Sequence, residues 1–137
     1  MKTTATVIAI AGLILATVSP VHAQGTEWES LTKEVTELYR TGRYERAVVV
    51  AMKALEVAEK NAGPNHPTVA ASLNNLALLY DNLGQYAGAE PLYKRALAIR
   101  EKALGPKHPD VAQILNNLAE LYKSQGQYAQ AKPLLKR

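Results

Sequence analysis

Apolar residues recur at spacings of three and four along most of the chain, which is the period of one face of an α-helix. In the middle of the sequence, this stripe consists of Val69, Leu73, Leu76, Ala77 and Tyr80. After Gly84, a second stripe consists of Tyr86, Ala89, Leu92, Tyr93, Ala96 and Leu97. Apolar and polar residues do not alternate with period two, so the pattern predicts two helices and no strand. A glycine such as Gly84 ends a helix readily because it adopts the left-handed conformation without strain.

The sequence of the helix pair is repeated. The segment LNNLALLYDNLGQYAGAEPLYKR at 73–95 returns at 115–137 as LNNLAELYKSQGQYAQAKPLLKR, and 16 of the 23 positions are identical at an offset of 42. The preceding turn, GPNHPTVA at 63–70, returns as GPKHPDVA at 105–112. A fixed period of this length is typical of stacked helical repeats, in which each unit buries its apolar face against the next.

Three units follow from this period: an atypical first unit at 24–62, a second at 63–104 and a third at 105–137. In the first unit, Leu38 and Tyr39 lie one residue closer to the glycine, Gly42, than the matching residues of the later units. The third unit is expected to be truncated within its second helix. The predicted fold is all-α, an α-solenoid of antiparallel helix pairs with about two and a half units.

The first 23 residues have a different character. A short basic start is followed by a mostly apolar run from Ala5 to Val18 and by small or β-branched residues, Val21 and Ala23, at the −3 and −1 positions of a cleavage site. This is the pattern of a secretory signal peptide cleaved after Ala23. The alternative is an uncleaved anchor, although the apolar run is short for a bilayer span of roughly 20 residues. The favoured interpretation is an exported protein, periplasmic or secreted, with no stable membrane insertion after cleavage.

Composition adds little to this picture. The chain has 137 residues, a formal charge of +4 and no cysteine, so disulfides cannot hold the fold. Such a mild positive charge does not favour nucleic acid as a partner. His22 belongs to the predicted signal peptide, and His66 and His108 occupy equivalent His-Pro turns. The two turn histidines could in principle share a metal, but no third ligand has suitable spacing, and a turn-forming role is favoured. No cofactor, metal or catalytic site is predicted.

The repeated segment resembles the tetratricopeptide-repeat proteins, of the kinesin-light-chain-like variety with 42 residues per repeat. The resemblance rests on Leu76–Ala77, Tyr80, Gly84, Tyr86, Ala89 and Ala96, and it covers residues 26–137. Members of this family mostly bind peptides or other proteins along a concave groove lined by the first helix of each unit. The resemblance therefore implies a non-enzymatic scaffold whose partner is a protein or an extended peptide.

By this resemblance, the candidate peptide-binding residues are those of the first helices: Asn74, Asn75, Leu78, Asp81, Asn82, Asn116, Asn117, Glu120 and Lys123. An asparagine side chain offers both a donor and an acceptor to a peptide backbone. Asn75 and Asn117 are the favoured pair for this role. The alternative is that one asparagine of each pair bonds helix to helix and stabilises the stack, and Asn74 and Asn116 are either structural or solvated.

Seven positions differ between the two copies. Three of the pairs, 78/120, 81/123 and 82/124, fall on the implied groove, which would carry mixed charge. Mixed charge does not suit a purely anionic ligand, and the single basic position, Lys123, does not favour a clamp for a terminal carboxylate. An alternative function is structural: a fragment of a longer array that docks or self-associates through an open C-terminal end at residues 129–137.

Overall fold

The structure is a computed structural model that describes residues 27–136. The signal peptide predicted at 1–23 and its cleavage site lie outside the described residues. Within residues 27–136, six helices follow one another: α1 (residues 27–40), α2 (Tyr44–Ala62), α3 (Pro67–Asn82), α4 (Tyr86–Leu104), α5 (Pro109–Ser124) and α6 (Tyr128–Leu135). There is no β-strand between residues 27 and 136.

Two kinds of turn separate the helices, as the sequence predicts. Within each pair the chain reverses at a glycine in the left-handed region, and Gly84 has a φ of 73°. There the N–H of Gln85 donates to the carbonyl of Tyr80 at 2.8 Å, which satisfies a helix-end carbonyl. Between pairs, Pro67 and Pro109 open α3 and α5 at a position where a missing N–H does no harm.

Small residues let the two helices of a pair approach closely. Ala77 of α3 and Ala89 of α4 are both fully buried, and the third unit repeats this arrangement with Ala119 and Ala131. Larger side chains surround the crossing, and Leu73 and Tyr93 are fully buried beside it. Burying a large apolar side chain contributes roughly 1.5–3 kcal/mol, so this layer holds each pair together.

Each described helix from α2 onwards packs mainly on its sequence neighbours, and α3 also contacts α5. The all-α prediction, an α-solenoid of antiparallel helix pairs, is therefore confirmed. The first unit joins the stack through Val35 and Leu38, which are buried with Leu76 and Leu79 in one apolar cluster. None of the helices in residues 27–136 combines the length and the apolar character needed to cross a membrane.

Candidate functional site

The first helices of the three units, α1, α3 and α5, are neighbours, and side chains on their shared surface interact. We call this surface the first-helix face. The helices align through pairs of buried apolar residues: Val35 and Leu38, Leu76 and Leu79, Leu118 and Leu121. This alignment sets Glu37, Leu78 and Glu120 at one equivalent position, and Arg40, Asp81 and Lys123 at the next one. All nine predicted site residues lie on α3 or α5.

Two of the four asparagines in the repeated Asn-Asn pairs bond to each other. The Asn117 side-chain amide donates to Oδ1 of Asn74 at 3.1 Å, and both residues are half-buried. This is the helix-to-helix bond considered as the alternative role for the asparagines. It pairs Asn117 with Asn74 rather than with Asn75. The bond joins α3 to α5 and leaves the Asn74 amide N–H groups and the Asn117 oxygen available to a further partner.

The other two asparagines are not engaged in this way. The side chains of half-buried Asn75 and exposed Asn116 make no hydrogen bond with any residue in 27–136. Asn82 behaves differently, because its Nδ2 donates to the carbonyl of Leu78 at 2.7 Å within α3. The same Nδ2 lies 3.5 Å from the Tyr39 hydroxyl. Asn82 therefore helps to order the ends of α1 and α3.

Ion pairs occupy the equivalent charged positions in the outer two units. Arg40 pairs with Glu37 at 2.9 Å on α1, and Lys123 pairs with Glu120 at 2.7 Å on α5. In the second unit the same two positions hold Leu78 and Asp81. The Asp81 carboxylate has no hydrogen bond or ion pair with the described residues. The middle of the first-helix face therefore carries an acidic group without a neutralising partner.

The environment of Asp81 is unfavourable for its charge. Partial burial, followed by repulsion from Glu120, raises the pKa of the Asp81 carboxyl above its usual value of 3.8. Tyr93 of α4 is 0% exposed, and its hydroxyl makes no hydrogen bond with any described residue. Burial raises the pKa of this hydroxyl, and the Asp81 carboxylate and Tyr39 add to the effect. The Tyr93 hydroxyl is thus within electrostatic range of Asp81 and Tyr39.

The sequence did not single out Tyr93 as a site residue. Its position differs between the copies together with Asp81: the second unit has Asp81 and Tyr93, and the third has Lys123 and Leu135. This joint change was the available signal. It was obscured because both Tyr and Leu satisfy the apolar pattern of the core.

Two further contacts between units are structural. The Trp28 indole N–H donates to Oγ of Ser72 at 2.7 Å, which ties α1 to α3. On the other side of the stack, Glu90 Oε1 accepts hydrogen bonds from the Tyr122 hydroxyl at 3.0 Å and from Lys94 at 2.6 Å. The bond of Trp28 thus joins the first unit to the second, and the bond between Glu90 and Tyr122 joins the second unit to the third.

The turn histidines cap helices. Nδ1 of His66 accepts from the backbone N–H of Thr68 at 3.2 Å, and Nδ1 of His108 accepts from that of Asp110 at 3.1 Å. Each bond satisfies one of the free N–H groups at a helix start. Within residues 27–136, no group of three or more His, Asp or Glu side chains could hold a metal ion.

A second surface lies on α2. Val49 and Met52 are 68% and 52% exposed there, and Leu55 and Leu76 lie beneath them in a shallow depression. The equivalent positions of α4 hold Pro91 and Lys94. This apolar patch provides a contrast with the polar first-helix face.

The sequence model of the tetratricopeptide repeat matches residues 36–68, 69–110 and 111–137. The chain therefore belongs to the tetratricopeptide-repeat family, as the repeated helix pair predicted. No curated protein matches the chain.

Solved structures agree with this assignment. The fold is similar to that of BtubC (BKLC) from P. vanneervenii, with 27% identity and a TM-score of 0.74 over 78% of this chain and 42% of that chain. It is also similar to a putative kinesin light chain of Podosopora anserina with nearly identical TPR-like repeats, with 26% identity and a TM-score of 0.73 over 85% of this chain and 53% of that chain. The kinesin-light-chain-like resemblance is thus confirmed, and the chain spans about half the length of these two proteins.

The TPR domain of Arabidopsis FLU shares the fold at 19% identity, with a TM-score of 0.72 over 82% of this chain and 92% of that chain.

Proposed function

We propose that this protein is a non-catalytic scaffold that binds an extended peptide segment of another protein on the first-helix face. The observation that carries the proposal is the pair of unengaged amides, Asn75 and Asn116, beside the bonded pair Asn74 and Asn117. Membership of the tetratricopeptide-repeat family supports it, because these repeats generally mediate protein–protein interactions.

The arrangement suits a peptide backbone. An extended peptide presents a carbonyl and an N–H at regular intervals, and each asparagine amide can donate to one and accept from the other. The bond between Asn117 and Asn74 holds two amides in fixed positions, so less side-chain entropy is lost on binding. Asn75 and Asn116 then provide contacts that break no hydrogen bond among the described residues.

A random peptide pool tests this proposal. The purified protein is exposed to immobilised, end-blocked dodecapeptides, and the dissociation constants of enriched sequences are measured by fluorescence anisotropy. The double variant Asn75→Ala/Asn116→Ala is expected to bind about thirtyfold more weakly, since each of the two lost hydrogen bonds contributes about 1 kcal/mol. The control is Lys60→Ala/Lys102→Ala, two exposed residues of the second helices α2 and α4. Equal binding by the wild type and the asparagine variant would contradict the proposal.

A second candidate function is docking through the C-terminal end, which specific exposed residues favour. Tyr128 is 68% exposed where its equivalent Tyr86 is half-buried, and Leu135 is 47% exposed where Tyr93 is 0% exposed. These side chains would be covered by another helix pair or another copy. Multi-angle light scattering over a concentration series tests self-association. A dimer that forms in the wild type and is lost in Tyr128→Glu supports it, and a monomer at every concentration contradicts it.

Export is part of the same proposal. The basic start, the apolar run, and Val21 and Ala23 at the −3 and −1 positions support secretion and cleavage. When the protein is expressed with its own N-terminus in a Gram-negative host, we expect it in the periplasmic fraction. Its mass is expected to equal that of residues 24–137. An uncleaved protein in the membrane fraction would support the anchor instead.

A further inference from the structure

The second unit departs from its neighbours at one charged position. On α1 and α5 the equivalent residues, Arg40 and Lys123, are basic and each is held by the glutamate three residues earlier. On α3 the residue is Asp81, and the position three residues earlier holds Leu78. The neighbouring cations are therefore already paired, and Asp81 has no hydrogen-bonded or ionic partner among the described residues.

A second group without a partner, the buried hydroxyl of Tyr93, lies within electrostatic range of this acid. The Tyr93 side chain is 0% exposed and its hydroxyl makes no hydrogen bond with the described residues. A buried hydroxyl that lacks a partner is rare in folded proteins and costs stability. Burial raises the pKa of the Tyr93 hydroxyl and the charges of Asp81 and Tyr39 both raise it further, so this hydroxyl lies within electrostatic range of the two residues.

The two features occur together. Where the second unit has the acid and the hydroxyl, the third unit has Lys123 and Leu135, and the first has Arg40 and Ala51. Neither outer unit thus carries an unpaired acid or a buried hydroxyl at these positions. The middle unit alone, among the three described, combines both.

We propose that Asp81, supported by Tyr93, is a binding position for the positively charged side chain of a lysine or arginine in the bound peptide. This inference rests on the proposed function and adds the chemical class of the residue that the centre of the face recognises. The ligand's ammonium or guanidinium group donates to one oxygen of the Asp81 carboxylate. The other oxygen turns inward and accepts a hydrogen bond from the Tyr93 hydroxyl, so both unpartnered groups are satisfied at once.

Tyr93 is a positioning residue in this arrangement, because it acts through Asp81 and does not touch the ligand. Charge-assisted hydrogen bonds are about twice as strong as neutral ones, so a cation is the ligand that gains most from this site. Repulsion between Asp81 and Glu120 is relieved by the same cation. Anionic peptide side chains are disfavoured at this position.

Methylguanidinium chloride is the first probe. The ¹³C-labelled protein is titrated at constant ionic strength, with sodium chloride replaced in steps, and the carboxyl carbon shifts are followed by NMR. In the wild type, a saturable shift is expected at the carboxyl carbon of Asp81. In Asp81→Asn, no other carboxyl carbon is expected to show a comparable shift. The control Glu37→Gln removes an acidic residue of the first-helix face that is already paired with Arg40, and it should leave the Asp81 response unchanged. An Asp81 response no larger than that of the other carboxyls would overturn the proposal.

Tyr93→Phe separates positioning from packing. It is expected to weaken methylguanidinium binding severalfold while the melting temperature stays level or rises, because the variant removes a buried hydroxyl that has no partner. A structural role alone predicts a lower melting temperature and unchanged binding. That result would contradict the role given to Tyr93.

The random peptide pool is the second probe. The wild type is expected to enrich lysine or arginine at one position, and Asp81→Asn to lose that preference and bind the enriched peptides about tenfold more weakly. Peptides enriched without a basic residue would overturn this inference and leave the proposed function intact. No enriched peptide, together with saturable methylguanidinium binding, would overturn the peptide proposal and assign the site to a free organic cation.

Discussion

Asn117 of one repeat donates a 3.1 Å hydrogen bond to Asn74 of the preceding repeat. The Asn-Asn pairs of α3 and α5 are identical in sequence, but the bond uses the first asparagine of the α3 pair and the second asparagine of the α5 pair. One asparagine from each pair joins the helices. The other, Asn75 or Asn116, remains unengaged among the described residues. A repeated motif can therefore supply the stack and the binding surface at once.

Asn117→Ala is predicted to lower the free energy of unfolding by about 0.5–1.5 kcal/mol, because it removes a half-buried hydrogen bond. Asn116→Ala is the matched control, since exposed Asn116 has no such bond, and it should change stability by less than about 0.5 kcal/mol. Urea unfolding followed by circular dichroism measures both. Equal losses in the two variants would show that the bond does not stabilise the stack.

The contact between Trp28 and Ser72 gives a second prediction. The indole N–H donates to Ser72 at 2.7 Å, so Ser72→Ala should cost about 1 kcal/mol and leave the half-buried indole N–H without this partner. Trp28 is the only tryptophan in the chain, so its fluorescence reports the docking of α1 directly. In Ser72→Ala, fluorescence should change at a lower urea concentration than circular dichroism does. Coincident transitions at the wild-type midpoint would rule out this role.

Glu90 provides a pH-dependent link between α4 and α5. Its hydrogen bond with Lys94, and secondarily that with Tyr122, lowers the pKa of the Glu90 carboxyl below its usual 4.5, although desolvation opposes them. A lowered folded-state pKa contributes stability that is present above the unfolded value and is lost as the pH falls through the folded value. Glu90→Gln should therefore destabilise by about 0.5–1 kcal/mol at pH 7. Thermal melts should show this difference vanish in acid; a difference that persists at pH 2 would contradict the assignment.

The contribution of Asp81 to stability is predicted to change with pH in the direction opposite to that of Glu90. Its pKa is raised by burial and by Glu120, so the folded state holds the proton more tightly than the unfolded state does. Its contribution therefore becomes less favourable as the pH rises through 3.8 and then through the folded value. Asp81→Asn should melt at a higher temperature than the wild type at pH 7 and at the same temperature well below pH 3.8. A lower melting temperature at pH 7 would mean that Asp81 has a stabilising partner.

The sequence predicted the helices and their stacking well because these depend on local, repeated signals. Gly84 marks its turn by a conformation that other residues reach only with strain, and Ala77 and Ala89 mark a close helix crossing by their size. Each signal occurs again 42 residues away, which makes it hard to misread.

The candidate site was less predictable because it depends on side-chain rotamers between helices. Periodicity placed Asn74 and Asn117 on one surface but could not show which asparagine would reach across to the next helix. The basic residue of α1 that corresponds to Asp81 follows from the burial of Val35 and Leu38, since the shorter turn of the first unit shifts its register by one residue. This register identifies Arg40 as the equivalent of Asp81.

The most direct test of the central claim is to map where a bound peptide lies. A peptide enriched from the random pool is synthesised with a benzophenone group, crosslinked to the protein by light and located by mass spectrometry. Binding on the first-helix face predicts crosslinks to α3 and α5 near Asn75, Leu78 and Asn116, and their loss when unlabelled peptide competes. Crosslinks confined to α2 around Val49 and Met52 would contradict the account, because they would place the peptide on the exposed apolar patch instead.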